Sequence, residues 1–260
     1  MLNGWNGWNV WNVWNGWNGF VAVYLRETRL LRRRFFRHLA SMMVPPLLYL
    51  VAFGTAMGSH SPLPGRSYLE FLLPGLVAMT SMTQAYGIAG EINVARFYLH
   101  VFEEFQASPI GSAAYVLGEV CAGVTRAALG VAAILAIAFV FSIGVRVDAC
   151  LLLAAALNAA AFASLGVFLA MIVKSHADQA LLVSFVITPM SFLGGTLFPV
   201  ENLPGWAQTL VYLLPLTHAA DALRRASLGL PADPANFALL AAATALFFIL
   251  ALSSVDHARD

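Results

Sequence analysis

Charge is what this sequence has least of. Only 10% of its 260 residues are Asp, Glu, Lys or Arg, while 60% are hydrophobic and the mean hydropathy is +0.77. A soluble domain of this length needs far more polar surface, so the chain reads as an integral membrane protein. Lysine is nearly missing. Lys174, in "MIVKSHADQ", stands alone, with valine before it and no glycine-rich turn leading into it. That excludes a Gly-Lys-Ser/Thr phosphate loop, and with it ATP binding of that kind by this chain. The two cysteines, Cys121 and Cys150, fall near opposite ends of neighbouring apolar runs, so neither a disulfide nor a metal site is implied. The histidines, His38, His60, His100, His176, His218 and His257, lie near run ends or in links, and no two have ligand spacing. No acid falls at the middle of an apolar run, which argues against intramembrane hydrolysis and so against an enzyme. Two matching halves with paired broken helices are also wanting, which weakens the case for an ion-coupled carrier. Period-two alternation is absent, against a barrel. A net charge of +1 gives no reason to expect nucleic acid as a partner. No cleavable secretory signal stands out.

What remains is a series of long uncharged or nearly uncharged runs, at 39–57, 71–90, 127–145, 149–173, 179–200 and 234–255. Each has roughly the 20 residues a helix needs to cross ~30 Å of hydrocarbon. The expected fold is therefore all-α, with six transmembrane helices. A seventh uncharged stretch, 202–220, holds Pro204, Gly205, Trp206, Pro215 and His218, which suits short helices at one surface or re-entering it. Six spans put both termini on one side. The cluster Arg26, Arg29, Arg32, Arg33, Arg34 and Arg37 before the first run makes that side cytoplasmic, although Arg224 and Arg225 oppose the rule.

Residues 3–19 repeat Trp-Asn with Gly or Val, and 1–19 read as a low-complexity leader with little stable structure. Residues 20–260 form the membrane domain. Its first segment, 20–38, gathers Arg26, Arg29, Arg33 and Arg37 on one side of a helical wheel and Tyr24, Leu31 and Phe35 on the other. Such a helix is suited to lie on membrane lipid at the inner leaflet. Pro45-Pro46 should kink or restart the first span. Arg126 is expected to snorkel or to pair with Glu119 two turns back.

Between the second and third runs stands "VFEEFQASPIG", residues 101–111. Ser108-Pro109 should end one short helix, with Gly111-Ser112 starting the next, and leave Glu103 and Glu104 exposed. The order Glu-Glu, Ser-Pro-Ile and then Leu117-Gly118-Glu119 resembles the corresponding link of ABC-2 type exporter permeases. A second stretch, "ITPMSFLGGTLFPVENLPGWAQTLVYLLPLTHAADALRRASLG", is similar to the fifth span and outer segment of that family. Pro189, Gly194-Gly195 and Phe198-Pro199 would break the fifth helix there and make a hinge or gate. The resemblance covers the chain from about residue 20 to the end. It implies a bacterial inner (cytoplasmic) membrane exporter subunit, a second permease copy, and two ABC ATPase subunits that bind ATP and magnesium while this chain binds neither. It further implies that Phe102, Glu103, Glu104, Ser108, Pro109 and Ile110 contact the ATPase, with Ile110 in an apolar pocket of that partner. An amphipathic, drug-like or lipid-linked cargo is expected, with polysaccharide as the alternative.

Overall fold

The computed structural model describes residues 7–56, 65–108 and 110–258. Among these, every regular element is helical. The order is α1 (Gly7–Arg33), α2 (Phe35–Ala56), α3 (Tyr68–Tyr86), α4 (Ile88–Phe97), α5 (Val101–Ala107), α6 (Ser112–Val140) and α7 (Ala149–Ile172). There follow α8 (His176–Leu182), a π-helical segment Val183–Ile187, α9 (Thr188–Leu193), a 3-10 turn Val200–Asn202, α10 (Gly205–Val211), α11 (Pro215–Ser227) and α12 (Pro234–His257). Among the described residues four helices are long and apolar enough to cross a membrane: α2, α6, α7 and α12. The runs at 71–90 and 179–200 fall on α3 with α4, and on the interrupted series α8, π segment and α9.

Three expectations change. The Trp-Asn repeat is helical from Gly7 onward and runs without a break into the basic segment; residues 1–6 lie outside the described residues. Asn and Gly are weak helix formers, but extending a helix already packed further along avoids the nucleation cost. The basic helix stops at Arg33, so Phe35 to Leu39 belong to α2, and Met57 lies outside the described residues. Assigned helix runs through Pro45-Pro46 rather than restarting, although neither proline can donate to the carbonyl four residues back. The helix that follows the Ser108-Pro109 break starts at Ser112 with Gly111 before it, as expected.

α7 is the hub, packing against α12, α3, α6, α11 and α4. Its apolar face is dense with alanine, and Phe162 is fully buried among the bundle residues. A polar tie crosses this interior between α7 and α3. Asn158 on α7 donates through Nδ2 to the Ala78 carbonyl at 3.0 Å and to Ser81 Oγ at 2.5 Å on α3. In an apolar surround such a bond fixes the register of two helices.

α3 meets the end of the broken helix at Gly75. A Cβ built there would sit 1.8 Å from the Thr196 carbonyl oxygen. That neighbour is backbone and cannot swing away. Gly75→Ala is therefore expected to separate α3 from the 194–199 turn, at a cost of about 1–3 kcal/mol or more. A lower thermal midpoint of the detergent-purified protein checks this; an unchanged midpoint contradicts the packing.

Candidate coupling helix and helix break

The link between α4 and α6 turns sharply at His100, whose φ of 51° is left-handed, and its Nδ1 meets Glu103 Oε1 at 3.0 Å. α5 follows. Phe102 is buried, edge-on to Tyr115 at 5.7 Å and beneath the Arg96 guanidinium at 5.5 Å. Phe105 meets Tyr115 at 5.2 Å and the Arg26 guanidinium at 5.7 Å. Ser108 ends the helix, its hydroxyl donating to the Phe105 carbonyl at 2.8 Å, and its backbone is extended as a residue before proline requires. Pro109 lies outside the described residues. Glu103 and Glu104 face solvent, as expected. Ile110 does not face outward. It is half-buried against α1, where a Cβ on Gly19 would fall 2.9 Å from Ile110 Cγ2. The side chains expected to reach a partner thus divide: two acids point away, while Phe102 and Ile110 fasten α5 to its own chain.

α1 packs along α6. Gly19, Val23, Glu27 and Leu31, spaced four apart, form its buried face, and Tyr24 OH lies 3.0 Å from Thr125 Oγ1. Arg29, Arg33 and Arg37 are exposed; Arg26 turns inward to Glu27 at 2.8 Å. Arg126 pairs with Glu91 at 3.4 Å, not with Glu119. Glu119 is fully buried. Burial pushes the Glu27 carboxyl up and nearby Glu91 adds to this, while Arg26 and Arg126 oppose it.

At the other end of the bundle the series of α8, the π segment and α9 is interrupted twice. Pro189 stands just after the π segment, and the Thr188 N–H reaches back to the Val183 carbonyl, five residues away. Widening the helix there accommodates a proline that has no N–H of its own. The second interruption is at Gly194-Gly195, where Gly195 takes φ of +69°, followed by Phe198-Pro199. A helix end leaves carbonyls without partners. Here Arg224 Nη2 donates to the Gly195 carbonyl at 2.7 Å and Tyr68 OH to the Leu197 carbonyl at 2.6 Å. Arg224 lies 4.0 Å above the Phe71 ring, and burial pushes its pKa down to about 10 against the pull of Asp221 and Glu201. All five residues expected at the hinge therefore lie on one interrupted series, and its second break is pinned by α3 and α11.

Residues 18–228 match the family described as ABC-2 type transporter. The chain belongs to the ABC-2 transporter family. It is 29% identical over 236 residues to the inner membrane transport permease YadH of Escherichia coli K12, covering 87% of this chain and 91% of that one. It is similar also to nodulation protein J of Rhizobium leguminosarum bv. trifolii, 33% identical over 220 residues and covering 81% and 82% of the two chains. The same protein of Rhizobium meliloti strain 1021 is 31% identical over 220 residues. An ABC-2 permease with several apolar helices and an inner-membrane relative is a multi-pass inner-membrane transport protein. Among the described residues no group of His, Cys, Asp and Glu is placed to hold a metal.

Three buried polar residues of this ABC-2 permease escaped sequence reasoning. Asn93 on α4 donates to Gln179 Oε1 at 3.1 Å, and Gln179 on α8 donates to Tyr86 OH at 2.8 Å. This chain ties the start of the interrupted series to the joint between α3 and α4. Gln179 was legible only as the polar edge of an apolar run.

Glu27 offers a pH test. Its folded-state pKa is raised, so its folded form favours the proton, and the penalty for a buried charge is felt as pH rises through that value. Glu27→Gln is expected to raise the thermal midpoint relative to the wild type at about pH 8, with the gap shrinking toward about pH 5. A midpoint lowered equally at both pH values shows instead that the Arg26 pair outweighs burial.

Proposed function

We propose that this chain is the membrane subunit of an exporter driven by ATP hydrolysed on separate ATPase subunits. ABC-2 permeases work with ATP-binding partner subunits. In this reading α5 is the surface the ATPase grips. The single observation that carries it is the split character of α5: Glu103 and Glu104 exposed on one side, Phe102 and Phe105 locked on the other. The acids meet basic groups of the partner. The aromatic side passes the push to α6 through Tyr115 and to α1 through Arg26. Exposed ion pairs alone are worth roughly 0–1 kcal/mol each, so transmission depends on that packed side.

The full arrangement comprises six spans, with α3 and α8–α9 joining the four apolar helices, both termini cytoplasmic, and α10 and α11 at the outer surface. Two such chains, with two ATPases beneath them, form the working unit. ATP and magnesium are bound by the partner. The interrupted fifth series is the gate, and its pinning to α3 and α11 supports motion of these three elements as one body. A lining of Phe, Leu, Ala and Gly suits an amphipathic, drug-like or lipid-linked cargo.

Replacing both acids, Glu103→Lys with Glu104→Lys, is expected to abolish transport in vesicles reconstituted with the ATPase, while membrane insertion and thermal midpoint stay near wild type. Full cargo-stimulated hydrolysis and transport in the double variant would defeat the assignment of α5.

A further inference from the structure

A cavity of about 380 Å³ opens at the end of the bundle opposite α5, between the 3-10 turn, α11 and the start of α12. Its walls carry Glu201, Asp221, Arg224, Arg225, Asp233 and, at the edge, Leu239. Most of this charge is already matched. Asp221 Oδ2 accepts from Arg225 Nε at 2.8 Å and from Asn236 Nδ2 at 2.7 Å. Asp233 Oδ1 caps α12 by accepting from the Ala235 N–H at 3.0 Å. His218 bridges Asn236 Oδ1 and the Tyr212 carbonyl at 3.0 and 2.9 Å. Two groups of opposite sign are left over. Arg224 Nε is buried without a hydrogen-bond partner, and among the described residues the Glu201 side chain, exposed at the rim, makes no ion pair within 4 Å, although its charge acts on Arg224 from farther off. The orphaned Nε leaves the Arg224 guanidinium, part of which lines the cavity, short of one acceptor.

The surroundings restrict the ligand further. Leu239 is both a wall of the cavity and the first residue of an exposed stripe on α12, Leu239, Leu246 and Ile249, which are 48%, 55% and 62% exposed. Steps of seven and three residues keep these side chains on one side of a helix apolar enough to cross the membrane. A polar cavity bearing both signs of charge, at the head of an apolar rail of membrane-spanning character, has the chemistry of a phospholipid with a zwitterionic headgroup.

We propose that this cavity binds the phosphoethanolamine headgroup of a phospholipid whose acyl chains lie along α12. The phosphate accepts from Arg224 and from the free edge of Arg225, since guanidinium is matched to phosphate oxygens. The ammonium, two carbons away, donates to Glu201. A headgroup with phosphate but no amine leaves Glu201 unmatched and adds repulsion from Asp221 and Asp233. The site stands apart from the coupling reading, because the lipid binds here whether or not α5 meets an ATPase.

The test uses the full chain, delipidated in detergent and titrated by native mass spectrometry with dioctanoylphosphatidylethanolamine, dioctanoylphosphatidylglycerol or free O-phosphoethanolamine. The ethanolamine lipid is expected to bind about tenfold more tightly than the glycerol lipid, a difference of about 1.4 kcal/mol. Glu201→Gln, at an exposed position, should bring the two lipids to within about twofold without weakening the glycerol lipid. Free O-phosphoethanolamine should compete poorly. Equal binding of the two lipids by the wild type, a preference that survives Glu201→Gln, or competition by free O-phosphoethanolamine as strong as by the lipid would each overturn the proposal.

Discussion

Backbone carbonyls released where a helix breaks inside an apolar bundle must find donors, and in this permease that requirement organises one whole end of the molecule. Gly195 and the residues after it leave helical geometry, so their carbonyls lose the N–H groups a continuing helix would offer. Arg224 and Tyr68 take two of them, and the Thr196 carbonyl lies against the bare backbone of Gly75. These contacts draw α3, α9 and α11 together. They also explain an arginine held deep in that junction: its guanidinium satisfies a carbonyl while resting on the Phe71 ring.

The opposite end is organised by aromatic and ionic contacts around α5. Tyr115 at the start of α6 receives both Phe102 and Phe105, and Arg26 of α1 covers Phe105 from the other side. A seven-residue helix has little stability alone, so its orientation is set by what its aromatic side packs on. Between the two ends run two polar ties, Asn158 to Ser81 and Asn93 through Gln179 to Tyr86. Both join α3 or α4 to a helix later in the chain.

Hydropathy made the four long apolar helices legible, and the turn chemistry of Ser108, Gly194-Gly195 and Phe198-Pro199 marked where helices stop. The short helices α10 and α11 were foreseeable from Pro204 and Pro215. Partnership was not. Arg126 on α6 meets Glu91, far away in sequence, and no local pattern announces such a pairing. The resemblance alone gave Ile110 to a partner, while Gly19, the residue it lies against, sits in a stretch that composition marks as unstructured. Residue type showed that Glu103 and Glu104 were out of place in a greasy chain. Only the fold shows that their neighbours Phe102 and Phe105 face inward.

The length of α6 has its own consequence. At 29 residues it extends about 43 Å, while the hydrocarbon it crosses is about 30 Å thick. Its far end is greasy and bare, with Phe139 87% and Val140 75% exposed, so that end stays in oil. An upright α6 with that end in oil would leave about 13 Å beyond the hydrocarbon where the helix begins, at Ser112 to Glu119. In that posture Glu119 and Glu27 would sit in a proteinaceous collar at the water's edge rather than at the bilayer's centre, with α6 a stilt standing partly outside the film it pierces.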